Sequence, residues 1–202
     1  MKNYFKIASV LIALLLISGT VSAQLRFGAK AGLNISSQKV SVLGFSLTTN
    51  SKIGPYVGVF AEYEVNDELI LQPELAYSSL GSKFSFGDES SSTNVNYIVL
   101  PVVLKYKISN LSIGAGPQLG LLVSANAKSD GISEDVSDGF RTTDFSALLN
   151  TDYEVNENIV IGLRYQIGLS NIVPSTASSD DFFGSSGTGK NNSFQFSVGY
   201  KF

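Results

Sequence analysis

The chain has 202 residues, with 14 basic against 17 acidic side chains and neither histidine nor cysteine. Without imidazole there are no His-based triads, no commonest general base and no usual transition-metal ligand; without thiols there are no disulfides or thiolate sites. A net charge of −3 with no basic run argues against nucleic acid as a partner, and the length suits one domain.

Lys2 and Lys6 lead into an apolar run from Ile7 to Ile17, followed by Ser18-Gly19-Thr20 and the small-residue site Val21-Ser22-Ala23. Charge, apolar stretch and A-x-A-like site in that order predict a secretory signal peptide over 1–23, cut before Gln24, with the mature domain over 24–202. A helix needs about 20 apolar residues to span a bilayer, which argues against a retained anchor. Loss of two lysines takes the net charge from −3 to −5. No cysteine follows the cut, so anchoring through a lipidated cysteine is excluded.

From Leu25 onward, apolar and polar residues alternate in eight blocks, the period of a strand with two unlike faces. The first carries Leu25, Phe27, Ala29, Ala31, Leu33 and Ile35 on one face; the second runs from Ile53 to Val65 and the third from Leu69 to Tyr77. The fourth, Ile98 to Lys107, is apolar on both faces for several residues. The fifth runs from Leu111 to Leu121, the sixth from Asp144 to Tyr153 and the seventh from Ile159 to Ser170. The last sets Phe194, Phe196, Val198, Tyr200 and Phe202 against Ser193, Gln195, Ser197, Gly199 and Lys201. Each is about 10 residues, the length of a tilted strand that crosses a membrane.

Tight turns are predicted near Asn66-Asp67, Ser109-Asn110 and Asn156-Glu157, and long polar connections over 36–52, 81–95, 124–142 and 171–192. Short turns at one rim and long loops at the other are the asymmetry of outer-membrane barrels. A faint repeat links Tyr63-Glu64-Val65-Asn66-Asp67-Glu68-Leu69 to Tyr153-Glu154-Val155-Asn156-Glu157-Asn158-Ile159, with Tyr106-Lys107-Ile108-Ser109-Asn110-Leu111 a looser copy. Each has a tyrosine just before its turn, a place where its ring meets lipid headgroups.

A soluble ligand-binding barrel also alternates, with its apolar face inside. Three features favour the membrane. The polar face is rich in Gly, Ser and Gln, with only 15% of the chain charged against about 25% typically; many charges of the mature chain sit in loops; aromatic residues gather at strand ends. The expected fold is therefore all-β, an eight-stranded antiparallel transmembrane up-and-down β-barrel. In hydrocarbon every backbone group must pair, so the sheet must close. The polar face then lines a lumen just wide enough for side chains to fill. There Arg26, Lys30, Glu62, Glu74, Lys105, Asp144, Asp152, Arg164 and Lys201 are expected to form a structural charge network. A narrow ion path is the alternative use of the same residues.

The stretches Phe27-Gly28-Ala29-Lys30-Ala31-Gly32-Leu33-Asn34, Leu100-Pro101-Val102-Val103-Leu104-Lys105-Tyr106, Gly114-Ala115-Gly116-Pro117 with Gly120-Leu121-Leu122, and Arg164-Tyr165 with Gly168-Leu169-Ser170-Asn171-Ile172 give the chain a family likeness. It resembles small outer-membrane β-barrels of the OmpA/OmpX type, most of all the PorT-like porin family. The resemblance covers nearly the whole mature chain and implies a cell-envelope protein of the Gram-negative outer membrane. It also implies that the terminal Tyr200-Lys201-Phe202 carries an aromatic signal, at Phe202, for the barrel-assembly machinery. "Porin" there names an architecture; some members are linked to secretion, and no functional residue carries over.

No catalytic residue, cofactor or metal site is predicted. Barrel enzymes that act on lipids or proteins depend on histidine, so an enzyme is not expected. The loop acids Asp88, Glu89, Asp130, Glu134, Asp135, Asp138, Asp180 and Asp181 offer hard oxygen ligands but fit no calcium motif. The loop aromatics Phe140, Phe182 and Phe183 are candidate contacts for a protein partner, or fold down onto the rim. Expected partners are outer-membrane lipid, lipopolysaccharide and a protein at the extracellular loops. The chain stops at the last strand, so no periplasmic domain is expected. Two roles compete: a structural or surface-interaction barrel with a filled polar lumen, and a narrow channel or part of a transport or secretion assembly.

Overall fold

The computed structural model describes residues 25–42, 45–48, 50–86, 89–129, 132–173 and 188–202. The predicted signal peptide lies outside the described residues. The strands are β1 (Leu25–Val42), β2 (Phe45–Thr48), β3 (Lys52–Glu64), β4 (Leu69–Phe86), β5 (Glu89–Ile108), β6 (Leu111–Ser129), β7 (Ile132–Asp135), β8 (Thr143–Glu154), β9 (Ile159–Gly168) and β10 (Thr188–Lys201). Eight of them pair antiparallel in chain order, and β10 returns to β1 from Gly28↔Lys201 to Ser41↔Thr188. That last ladder closes the barrel and leaves its wall without an edge. The short β2 and β7 pair with the ends of β1 and β6.

The predicted parity holds strand by strand. Phe27, Leu33, Val57, Leu75, Leu104, Ile113, Phe145, Leu163, Phe194 and Phe196 all face outward and are exposed. Between them Lys30, Asn34, Glu62, Gln72, Lys105, Arg164, Gln195 and Lys201 face inward and are buried. The fourth predicted strand resolves in the same way: Val102, Leu104 and Tyr106 look out, while Val99 and Val103 are buried inside.

All three tight turns form where expected. Asn66 Oδ1 accepts the backbone N–H groups of Glu68 and Leu69, and Asn156 Oδ1 accepts those of Asn158 and Ile159. The repeat seen in the sequence is thus one turn chemistry used twice. Ser109 opens the third turn at φ 57°, in the left-handed region.

Three of the four predicted long loops are largely strand. β1 runs on to Val42, β4 to Phe86, β5 starts at Glu89 and β6 reaches Ser129. β4, β5 and β6 have 18, 20 and 19 residues, against 10 for β9. Beyond the bilayer the outward face meets water while Gln38, Leu80, Ser82 and Val95 stay buried on the inward one, so the outward positions need not be apolar and the sequence there reads as loop.

Two strand glycines mark crowding between neighbours. A Cβ on Gly116 would come within 1.9 Å of Val102 O, and one on Gly58 within 2.3 Å of the Ala76 Cβ. Only glycine fits such close approaches.

Candidate functional site

The lumen toward the turn end is built from the hairpin repeat. Glu62, Lys105 and Asp152 each stand one residue before a pre-turn tyrosine, on β3, β5 and β8. Strand alternation turns all three inward at a similar height. Lys105 Nζ donates to Glu62 Oε1 and to Asp152 Oδ2, at 2.8 Å each. Lys201, from β10, lies 2.8 Å from Glu62 Oε2 and 2.5 Å from Glu154 Oε1. One residue beyond each tyrosine come Glu64, Lys107 and Glu154, and Lys107 pairs with Glu154 at 3.3 Å.

A second cluster sits deeper, around Glu74 of β4. Lys30 Nζ donates to Glu74 Oε1 at 2.8 Å. Arg164 of β9 grips the same carboxylate with two nitrogens, at 2.6 and 3.0 Å, and its Nε donates to Asn150 Oδ1 at 2.9 Å. Tyr56 Oη donates to Glu74 Oε2 at 2.9 Å. Lys30 also lies 5.0 Å from the centre of the Phe60 ring, a cation–π contact. Lys30, Lys105, Lys107, Arg164 and Lys201 therefore face Glu62, Glu74, Asp152 and Glu154, five cations against four carboxylates. Buried charge of either sign is tolerated only when paired and hydrogen-bonded in this way. The cavity left among Lys30, Glu62, Gln72, Lys105 and Asp152 measures about 10 Å³, room for a single water.

The loop-end half of the lumen keeps polar side chains as expected, with Asn34 donating to Ser78 and Gln38 to Asn191, and packs an apolar cluster among them. Tyr56, Ala76, Leu80, Val95, Tyr97, Val99 and Ala125 form an apolar cluster, with Leu122, Val136 and Phe140 packed on it. Ser137 pins this cap: its Oγ accepts the Ala125 N–H at 2.8 Å, and Val136 N–H donates to Ala125 O at 2.9 Å. Arg141 N–H donates to Ile172 O at 2.8 Å.

Two site expectations change. Arg26 is half-exposed at the turn-end mouth, 3.8 Å from Glu64, because it lies one residue from the strand's start, where water reaches it. Asp144 is buried as expected but belongs to the other half, where Asn191 Nδ2 and Ser170 Oγ donate to it at 3.0 and 2.8 Å. Of the two places expected for Phe140, an outward contact or the rim, it takes the second and packs on the apolar cluster, where its ring removes more surface from water. Phe182 and Phe183 lie outside the described residues. Tyr56, Gln72, Asn150, Lys107 and Glu154 were not singled out in the sequence. Strand parity would have found them, since each lies on the inward face of its strand.

The arrangement offers ion pairing rather than bond-making chemistry: Glu62, Glu74 and Asp152 are each held by cations. Among the described residues, no three acidic side chains are grouped to hold a metal ion.

A family model described as an outer membrane protein β-barrel domain matches residues 20–173. Among solved structures, Neisserial surface protein A aligns with a TM-score of 0.57 at 16% identity, over 87% of this chain and 97% of that one. Ail, the attachment invasion locus protein of Yersinia pestis, aligns with a TM-score of 0.49 at 17% identity, over 89% and 99%. At these identities the likeness is one of fold. No curated protein matches the sequence.

Proposed function

The chain belongs to the outer membrane protein β-barrel domain family, and from that premise we propose that it is a closed barrel acting through its extracellular surface. It resides in the outer membrane of a Gram-negative-type envelope. The observation that carries the proposal is the double filling of the lumen. Salt bridges occupy the turn-end half, and Tyr56, Leu80, Tyr97 and the capping Phe140 occupy the other. A solute would have to break both, so the reading assigns function to what projects. β4, β5 and β6 rise well beyond the roughly 9–11 residues that a membrane crossing takes.

In this reading the leader over 1–23 directs export, and the outward aromatics Tyr200 and Phe202 serve recognition by the assembly machinery. The loop segments 124–142 and 171–192 meet a protein partner. His-dependent catalysis has no place in it, since the chain has no histidine.

Two measurements test the proposal. Purified barrel in planar bilayers is expected to give no steady single-channel current. Steady current abolished by changes at Glu74 would replace the closed barrel with a channel. Affinity capture from intact membranes is expected to lose partners when 130–135 and 174–187 are deleted, which spares β6, β10 and the capping Ser137 and Phe140. Unchanged partners would defeat the surface-binding role.

A further inference from the structure

The turn-end mouth of the lumen opens as a cavity of about 640 Å³ lined by Arg26, Lys107, Glu154, Asn156, Glu157 and Lys201. Sites of that size take small ligands. β1, β5, β8, β10 and the turn after β8 each contribute to it. Charge along its wall is unbalanced. Glu154 holds Lys201 at 2.5 Å and Lys107 at 3.3 Å, so one carboxylate serves two ammonium groups. Lys201 has Glu62 as a second partner, whereas among the described residues Lys107 pairs with the shared Glu154 alone. Arg26 is half-exposed, and its 3.8 Å approach to Glu64 is too long for a hydrogen bond. Asn156 gives its Oδ1 to the N–H groups of its own turn, which leaves its amide N–H groups for the cavity.

The mixture of groups selects the ligand. Two cations with open N–H donors favour an anion, and a planar guanidinium fork matches a carboxylate. Glu154 and Glu157 line the same cavity, so a phosphate, at a charge of about −2, meets carboxylates as well as cations. A carboxylate with an N–H donor beside it satisfies both signs. The end of a peptide chain has that chemistry: one terminal carboxylate, with amide N–H groups and carbonyl oxygens next to it. We propose that the turn-end mouth binds the free carboxylate end of an extended peptide. Its carboxylate sits on Arg26 and Lys107, a peptide carbonyl takes the Asn156 amide, and a peptide N–H donates to Glu157. The short-turn rim of an outer-membrane barrel faces the periplasm, so the ligand is the tail of a periplasmic protein. The inference rests on the membrane placement of the barrel; it needs neither a partner at the extracellular loops nor an open lumen.

The test uses the mature barrel in neutral detergent and dye-labelled tetra-alanine peptides, with binding read by fluorescence anisotropy. The probes are the L-peptide with a free carboxylate, its C-terminal amide, a version ending in two D-alanines, and inorganic phosphate as competitor. The L-acid is expected to bind about tenfold tighter than the amide. Arg26→Gln is expected to weaken it about tenfold and Lys107→Gln about threefold. Arg26→Lys is expected to restore part of the loss, since an ammonium lacks the fork. Glu154 keeps Lys201 in the Lys107→Gln protein, so the buried chain of ion pairs stays intact. Asp67→Asn, on the β3–β4 turn of the same rim and outside the cavity lining, is expected to change binding less than twofold. Heat-modifiable gel mobility reports that each variant keeps its barrel. Failure of the L-acid to bind at millimolar concentration, wild-type affinity in the Arg26→Gln/Lys107→Gln protein, or equal binding of the amide overturns the site. So does a change in the Asp67→Asn control equal to that in Arg26→Gln. Tighter binding of the D-ended peptide, or displacement by millimolar phosphate, overturns the assignment to a protein tail.

Discussion

Lys105 and Glu62, on strands separated by β4, meet at 2.8 Å inside the barrel, and each stands one residue before the tyrosine that precedes its turn. Asp152 holds the matching place in the third hairpin and takes the other side of Lys105. One cation thus joins three hairpins.

Replacing that cation leaves two buried carboxylates facing one another. Lys105→Ala is expected to destabilise the barrel by about 3–5 kcal/mol, as for other broken buried pairs. Urea unfolding in lipid vesicles, followed by tyrosine fluorescence, measures it. Adding Asp152→Asn is expected to recover part of the loss, because Asp152 loses its cation while Glu62 keeps Lys201 at 2.8 Å. A Lys105→Ala cost below about 1 kcal/mol would mean that water already screens the trio.

Arg164 is not replaceable by lysine. Its fork holds both oxygens of Glu74 while Nε serves Asn150, and an ammonium cannot reproduce that geometry. Arg164→Lys is expected to cost about 2–3 kcal/mol in the same unfolding assay. A neutral result would show that Lys30 alone satisfies Glu74.

Depth should grade the lipid-facing positions. Leu163 lies opposite Thr151 and Phe196, near mid-height, whereas Ile53 lies opposite Ile35 close to the loop-end border of the apolar band. Leu163→Arg is expected to cost about 2–4 kcal/mol and Ile53→Arg about 0–1 kcal/mol. Equal costs at both sites would contradict the placement of the bilayer.

Glycine substitutions separate crowding from tolerance. Gly116→Ala forces a methyl group against Val102 O, while the nearest atom to a Cβ on Gly120 is 3.4 Å away. Gly116→Ala is expected to lower stability by about 1–3 kcal/mol and reduce refolding yield, with Gly120→Ala close to neutral. The folded fraction on a heat-modifiability gel reads both.

The turns at Asn66 and Asn156, the outward set from Phe27 to Phe196 and the inward place of Lys30, Glu74 and Arg164 were legible from period and turn chemistry alone. The strand extensions past Ile35, Tyr77 and Leu121 were not. In water the outward positions need not be apolar, so Ser-, Thr- and Asn-rich strand looks the same as loop. The apolar cluster within the lumen was hidden for a related reason. Val99 of the cluster alternates with Ile98 and Leu100, and apolar residues on both faces erase the signal that tells inside from outside.

Alternation, being local, fixes which way each side chain points, and with it the membrane, the closed sheet and the polar character of much of the interior. Partnership is not local. Whether Arg26 reaches the lumen or the mouth depends on its height along the axis, and so does whether Asp144 meets a cation or Asn191. That height follows from the stagger at which β10 closes on β1. Only closure sets the stagger, so only the assembled barrel decides which charges meet and where Phe140 comes to rest.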